Sequence, residues 1–298
     1  MSVFDRFQNQ TRIQAILEMH TALSVGSRGS LEPTGTDLPV MKGPDGVPFI
    51  PGSSIKGAFR ALAERILRTF TDQFDIERCE NGDPVIWACD PLDKPCVPER
   101  SRDDRVGKEE LWREAVERER RGEGSADAIF AQELWNHSCT ACRLFGSPWF
   151  AGRVAFKDAF LLNGDELPVV TQIRDGVGID RDLGAARSGV KYDFEVVVPG
   201  ARFGLEILME NVDDWELGFL LTMLRLWEDG NLALGGKVTR GPGWGKLVDT
   251  QLRRLDQNTL LDYLLQGQQE PAEPTVFITA FQEHIANALK QNGRENDA

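Results

Sequence analysis

Glycines and cations are concentrated in one short stretch, residues 234–246, whose composition suits contact with phosphate. Five glycines fall within eleven positions, so side chains cover little of the backbone and its N–H groups could approach an anion closely. Lys237, Arg240 and Lys246 add charge, and Trp244 could stack on a nucleic-acid base. A tight turn with a buried tryptophan is the alternative interpretation. The Gly-x-x-x-x-Gly-Lys-Ser/Thr spacing of a nucleotide-binding P-loop is absent.

Two earlier segments have similar chemistry. Residues 25–37 form a polar, glycine-rich loop, and residues 51–60 lead into a predicted helix with Ser53 or Ser54 as its N-cap. We expect the three segments to bind a nucleic-acid backbone together. The candidate contacts are Gly26, Ser27, Arg28, Ser53, Ser54, Lys56, Arg60, Lys237, Arg240, Gly241, Gly243 and Trp244.

The five cysteines predict a metal site rather than disulfides, because an odd number in a chain without a signal peptide is a poor disulfide framework. Cys139-x-x-Cys142 has the spacing of half a zinc knuckle, and Cys89 with Cys96 is a reasonable second half. His137 or Cys79 could replace one of these four ligands, and ordinary reduced thiols are the alternative. The metal's role would be structural, because the surrounding segment is too polar to fold on a core of its own. No His-x-Glu accompanies the pair, which argues against a zinc deaminase.

The net charge of −13 argues against a nucleic-acid partner unless the acidic residues are segregated. Residues 61–137 hold 19 acidic and 12 basic residues, so −7 of the total lies there. The polar start is unlike a signal peptide, and no stretch approaches the roughly 20 apolar residues of a membrane span. The sequence therefore predicts a cytoplasmic protein with no membrane partner.

The elements that must position these residues follow from periodicity. Residues 12–23 alternate like a half-buried strand, and residues 213–229 form a strongly apolar helix. The coarse order of strand, helix, strands, helix and strand predicts an α+β fold with a ferredoxin-like plan. We predict one domain over residues 1–250 with an insertion at 71–142 that carries the cysteines, followed by a C-terminal helix and tail at 251–298.

An ordered set of motifs resembles the RAMP superfamily of CRISPR proteins, and within it the backbone subunits of type III effector complexes. The motifs span roughly residues 12–250, and each is weak alone. They are the runs 37–42 and 48–60, Arg143-Leu144-Phe145-Gly146, the strand 152–160, Gly178-Ile179-Asp180-Arg181, Tyr192-Asp193-Phe194-Glu195 and the glycine loop 234–246.

The resemblance implies a ferredoxin-like (RRM-like) palm that binds a CRISPR guide RNA by its backbone, next to target RNA and other RAMP and effector-complex subunits. Its thumb hairpin falls at about 171–193, where Arg174, Arg181 and Arg187 suit phosphate contact. Base pairing, and not the protein, would then read the target sequence. The catalytic aspartate of the family aligns with Asp37, and the resemblance implies endoribonuclease activity that depends on a divalent metal, Mg or Mn.

Three other functions stay open at this stage. The chain could bind RNA without cutting it, or it could process guide precursors with histidine as general acid and base. Only His20, His137 and His284 exist for that chemistry, and neither His20 nor His137 is well placed. The last alternative is a zinc-stabilised interaction domain unrelated to RNA.

Overall fold

The computed structural model describes residues 5–26, 36–74, 86–102, 105–267, 269 and 271–295. Within those residues the strands are β1 (Asn9–Met19), β2 (Phe49–Ile50), β3 (Val154–Phe156), β4 (Ala159–Phe160), β5 (Thr171–Ile179), β6 (Ala186–Val197), β7 (Arg202–Glu210) and β8 (Gly245–Asp256). The helices are α1 (Gly52–Phe74), α2 (Lys108–Arg120), α3 (Ala126–Asn136), α4 (Thr140–Phe145), α5 (Asp214–Glu228), α6 (Leu260–Gln266) and α7 (Pro274–Glu295). The α+β class predicted from the sequence is confirmed.

A four-stranded antiparallel sheet forms the centre of the fold, with the strand order β3-β7-β1-β8. The predicted first strand is confirmed, although it ends at Met19. Its side chains alternate between buried and half-buried, as the period of two requires. Ile13 faces Ile207 on β7 and Leu252 on β8, and all three are buried. One face of the sheet therefore carries the core.

Helices α1 and α5 cover that face. The ring of Phe59 on α1 lies 5.3 Å from the rings of both Trp227 on α5 and Phe156 on β3. Helix α1 begins at Gly52. A glycine is needed at this position because an added Cβ would lie 2.1 Å from the carbonyl oxygen of Phe156. The predicted N-cap is therefore wrong, since Ser53 and Ser54 lie inside the first turn.

Helix α5 is fixed at its N-terminus by a capping box between Asp213 and Glu216. The Glu216 carboxylate also pairs with Arg153, and both side chains are only 3% exposed. Removing one member of such a pair leaves an uncompensated buried charge, which costs about 3–5 kcal/mol. This pair locks the start of β3 to α5.

The segments around the sheet differ in length from the predicted ones. Helix α1 continues past residue 71, where the insertion is predicted to begin, and β8 runs across residue 250, where the domain boundary is predicted. Helix α7 packs along α5, and a Cβ on Gly218 would lie 1.9 Å from the Phe277 carbonyl oxygen. The C-terminal helix is thus part of the same packed body. No helix within the described ranges is long and apolar enough to cross a membrane.

Strands β5 and β6 form a separate antiparallel hairpin at the position predicted for one. Strand β6 extends beyond residue 193 to Val197, which forms an isolated bridge with Leu23 in the segment after β1. The hairpin is therefore joined to the sheet close to the first glycine-rich loop.

Candidate nucleic-acid interface and metal cluster

The two glycine-rich loops lie against each other. We call residues 20–48 the first loop and residues 234–246 the second loop. The amide of Gly236 donates to the Ser24 carbonyl oxygen at 2.7 Å, and that of Gly243 donates to the Ala22 carbonyl oxygen at 2.6 Å. The Trp244 carbonyl oxygen accepts hydrogen bonds from the amides of His20 and Thr21, at 2.9 and 3.0 Å. The sequence expectation that the loops act together thus has a direct structural basis.

Close backbone approach explains two of the glycines in the second loop. A Cβ on Gly235 would lie 2.5 Å from the Ser24 carbonyl oxygen, and one on Gly243 would lie 2.3 Å from that of Leu234. Both have positive φ, at 84° and 101°. Gly241 also has positive φ, at 111°, but its missing side chain faces open space. These glycines are required by the loop packing before any ligand binds.

The sequence prediction that this loop offers unengaged amides is wrong for at least five of its residues. The amides of Leu234, Gly236, Arg240, Gly241 and Gly243 all donate to carbonyl oxygens of the chain. Trp244 is only partly exposed, at 37%, and its amide donates to the Thr21 hydroxyl at 3.0 Å. The side chains of the loop, more than its backbone, face a potential ligand.

Two cations of the second loop contact β6. The Lys237 ammonium lies 4.5 Å from the centre of the Phe194 ring, and the Arg240 guanidinium donates to the Tyr192 hydroxyl. The Tyr192 ring lies over Gly176 of β5, where a Cβ would be 2.3 Å from the ring. Side-chain contacts between the second loop and strand β6 therefore attach this loop to the hairpin.

Asp37 of the first loop lies beside β6, the same strand of the hairpin. Its carboxylate Oδ2 accepts from the Asp193 amide at 3.1 Å, and its amide donates to Asp193 Oδ1 at 2.8 Å. The next residue, Leu38, forms a parallel bridge with Phe194. Asp37 is exposed to solvent. We name this group the hairpin base, which consists of Asp37, Tyr192, Asp193, Phe194, Lys237 and Arg240.

Glu195 holds the rest of the first loop on β6. Its carboxylate accepts from the Val40 amide at 3.1 Å and pairs with the Lys42 ammonium at 2.6 Å. Burial opposes the charged form of Glu195, but hydrogen bonds from Lys42, Thr171 and the Val40 amide outweigh it and lower the pKa of this carboxyl. The charged Glu195 therefore helps to set the path of the chain that carries Asp37.

The predicted RNA-contact residues divide into three groups, which belong to the two loops, to the hairpin and to α1. Lys237 and Arg240 of the second loop meet Asp37, the predicted catalytic residue, at the hairpin base. Gly26 forms a bridge with Val40 of the same loop, whereas Ser27 and Arg28 lie outside the described residues. The hairpin arginines are spread along its length: Arg174 is half-buried opposite Phe194, and Arg181 and Arg187 are exposed near the tip.

The residues on α1 form the third group. Ser53 is exposed, while Ser54 and Lys56 are half-buried. Burial, together with the neighbouring charge of Arg60, lowers the pKa of Lys56. Arg60 was predicted to contact RNA, but its guanidinium donates to Glu64, to the Gly146 carbonyl oxygen and to Cys142 Sγ. Arg60 therefore belongs to the cysteine cluster.

Four cysteines, Cys89, Cys96, Cys139 and Cys142, meet with their sulfur atoms all within 4.8 Å of one another. Each is at most 3% exposed. Cys89 Sγ lies 3.6 Å from Cys139 Sγ and 3.7 Å from Cys142 Sγ. These distances are too long for a disulfide. They match the separation of about 3.8 Å between ligands that a tetrahedral zinc with 2.3 Å bonds imposes.

Local structure explains how the four thiols converge. Cys139 caps helix α4, and its sulfur accepts from the Cys142 amide at 3.4 Å, so the Cys-x-x-Cys pair shares one tight turn. A bridge between Asp90 and Lys94 turns the chain between the other two cysteines. Burial raises the pKa of Cys139, while hydrogen bonds from Cys139 and Cys142 lower that of Cys96. A cation would stabilise all four as thiolates, and the cluster could hold a metal ion.

The predicted ligand set is thus brought together, and of its two predicted substitutes His137 lies outside the cluster. His137 Nδ1 lies 2.9 Å from the Glu133 carbonyl oxygen, and Cys79 lies outside the described residues. Sequence reasoning missed Arg68, whose guanidinium donates to the Cys89 carbonyl oxygen at 2.5 Å. It also missed Asp193 as the partner of Asp37, although the motif 192–195 was recognised. Nothing in the sequence spacing connects residues 156 positions apart.

Comparisons with known proteins identify the family of this chain. The family model described as "RAMPs: RAMP superfamily" matches residues 16–247, a range that contains the hairpin base and the cysteine cluster. A relative from Methanothermobacter thermautotrophicus, the "CRISPR system Cms endoribonuclease Csm3", is 27% identical over 274 residues, which cover 83% of this chain and 87% of the relative. Because the family match covers most of the sequence, the chain belongs to the RAMP superfamily.

Proposed function

We propose that this chain is a backbone subunit of a type III CRISPR effector complex that binds guide RNA and cuts the guide-paired target RNA. One observation carries the proposal: segments predicted separately to contact RNA meet at the hairpin base. The second loop, the hairpin and the candidate catalytic Asp37 are connected there by direct contacts. The name of the relative, a CRISPR endoribonuclease, agrees with this assignment.

The arrangement of the sheet supports a ferredoxin-like palm. Helix α1 connects β1 to β3, and α5 connects β7 to β8. In the strand order β3-β7-β1-β8, strand β7 lies between β1 and β3, and strand β1 lies between β7 and β8. Each pair of strands that a helix connects is therefore separated by one antiparallel strand. This is the split β-α-β arrangement of ferredoxin-like folds.

The charge distribution around the hairpin base suits an RNA backbone. Arg240 is exposed beside the base, and Arg181 and Arg187 are exposed at the hairpin tip. The acidic stretch 61–137 contributes no residue to the hairpin base. Such contacts hold phosphates without reading sequence, so target selection falls to base pairing with the guide.

Asp37 has the exposure and chemistry for a part in strand cleavage. In the proposed reaction the 2′-hydroxyl of the target attacks the adjacent phosphorus, the bond to the 5′-oxygen breaks, and a cyclic phosphate and a 5′-hydroxyl result. A divalent ion, Mg or Mn, would supply charge stabilisation at the phosphate when it is bound. The exposed carboxylate of Asp37, held by one oxygen on the Asp193 amide, is the group that would hold such an ion.

The cysteine cluster fits a structural zinc ion. The donor set is four sulfurs, and all are buried, which is typical of structural rather than catalytic zinc. Arg60 and Arg68 extend from α1 to the cluster. We propose that zinc ties the insertion to this palm helix.

The test is cleavage by the complex assembled with its co-expressed partners. Asp37→Ala is expected to abolish cleavage at the sites set by this subunit, while the complex keeps its guide RNA. Asp45→Ala is the matched control, since Asp45 is an exposed aspartate of the same loop that only closes a turn with the Val47 amide.

Other outcomes separate the alternatives. If the wild-type complex holds guide RNA but cuts no target with Mg or Mn, the chain is a scaffold that only binds. If the purified complex contains no RNA, the proposal is wrong. Cleavage of guide precursor by the chain alone in the presence of chelator would instead support a processing ribonuclease.

A further inference from the structure

We propose that Asp193 is a positioning residue that holds the Asp37 carboxylate in its cleaving orientation, an inference that rests on the proposed function. It would act through a hydrogen-bond acceptor on β6, and not as a metal ligand or a base. Asp193 lies within the stretch where sequence analysis found a motif but assigned no role.

The contact between the two aspartates is reciprocal. Asp193 Oδ1 accepts from the Asp37 amide at 2.8 Å, which fixes the backbone from which the Asp37 side chain projects. The Asp193 amide donates to Asp37 Oδ2 at 3.1 Å, which fixes the carboxylate itself. One residue therefore restrains both ends of the Asp37 side chain.

Further hydrogen bonds connect the residues after Asp37 to the residues after Asp193. The Leu38 carbonyl oxygen accepts from the Glu195 amide at 3.0 Å, and the Val40 amide donates to the Glu195 carboxylate. Downstream of Asp37 the first loop thus runs beside β6. Asp193 is the contact in this series that engages the catalytic candidate directly.

Strand β6 is a suitable support because it is paired along its length with β5. Asp193 lies opposite Asp175 in that pairing. Functional groups held by rigid strands keep their geometry better than groups on loops, and a misplacement of about 1 Å can cost roughly 100-fold in rate. An exposed loop aspartate gains this precision by attachment to the strand.

The kind of contact predicts which substitutions are tolerated. Asparagine keeps an acceptor oxygen at the position of Oδ1, and the backbone amide of residue 193 is unchanged by any substitution. Asp193→Asn therefore preserves both hydrogen bonds, whereas Asp193→Ala removes the one to the Asp37 amide. A residue that bound a metal ion through its charge would lose function in both variants.

The experiment measures single-turnover target cleavage by assembled complexes at saturating target, with guide content as the measure of assembly. Asp193→Ala is expected to slow cleavage roughly 10- to 100-fold at unchanged guide content, and Asp193→Asn is expected to recover most of the wild-type rate. Asp175→Ala, on the adjacent strand of the same hairpin, is the matched control and is expected to cleave like wild type.

The Asp37→Ala complex separates the two proposals. If Asp37→Ala is inactive but Asp193→Ala cleaves like wild type, the positioning role is refuted and the proposed function stands. Equal slowing by Asp193→Ala and Asp193→Asn also refutes positioning, because the carboxylate charge is then required. If Asp37→Ala itself cleaves like wild type, the proposed function fails and the inference fails with it.

Discussion

If the four-cysteine cluster holds the proposed zinc ion, its removal is expected to destabilise the protein by an amount that follows from the length of the chain between the ligands. A bound ion would cross-link Cys89 to Cys139 across 50 residues. The chain-entropy relation for a loop of that length gives a stabilisation of about 4 kcal/mol. For a chain of 298 residues, that corresponds to a fall of about 6 °C in Tm.

The assay combines metal analysis with thermal unfolding of the full chain. Wild-type protein should contain one zinc per chain, and chelation or Cys96→Ser should remove it and lower Tm by about 6 °C. Cys79→Ser is the control, because Cys79 is the fifth cysteine of the sequence and is not one of the four proposed ligands. It should keep both the zinc and the Tm.

Two results would refute this reasoning. If complete removal of the metal leaves Tm unchanged, the cluster is not a stabilising cross-link between the segments that carry Cys89 and Cys139. If Cys79→Ser loses zinc while Cys96→Ser keeps it, the ligand set is wrong. Arg60→Met gives an internal check: it removes the donor to Cys142 Sγ and should weaken zinc affinity about 10- to 100-fold, as loss of outer partners of metal ligands does.

Two further perturbations test the loops around the hairpin base. Gly243→Ala should lower the urea midpoint of unfolding more than Gly241→Ala, because both carry backbone strain of about 1–3 kcal/mol but only Gly243 meets a carbonyl oxygen at 2.3 Å; equal effects would contradict the packing. The pKa of Glu195 is lowered in the folded protein, so its contribution to stability is present above its unfolded value near 4.5 and is lost as the pH falls through the lower folded value. Stability measured from pH 7 to pH 3 should fall less steeply in Glu195→Gln than in wild type, and parallel curves would contradict this.

Arg60 shows why a sequence motif can mislead about a single residue. The run 48–60 supports the family assignment, and a lysine and an arginine there suggested phosphate contact. The helix places Arg60 one turn before Glu64 and next to the cysteine cluster, where it pairs with both. Motif membership indicates the fold that a residue helps to build and does not identify its partner.

The second loop shows a similar division. Its glycines were correctly recognised as a feature that the backbone requires, but the reason assigned to them was ligand approach. In the folded protein, Gly235 and Gly243 are needed because one loop packs on the carbonyl oxygens of another segment. The side chains of Lys237 and Arg240 contact β6 and remain the predicted RNA contacts of this loop.

The sequence by itself determined the α+β class, the first strand, the apolar helix α5 and the four cysteines that converge, because periodicity and Cys-x-x-Cys spacing are local properties of the chain. Only the tertiary structure decided that Asp37 meets Asp193, that Arg60 contacts the cysteine cluster, and that several amides of the second loop are already bonded to carbonyl oxygens. Those outcomes depend on contacts between segments far apart in sequence, and the pairing of strands that creates them leaves no local pattern to read.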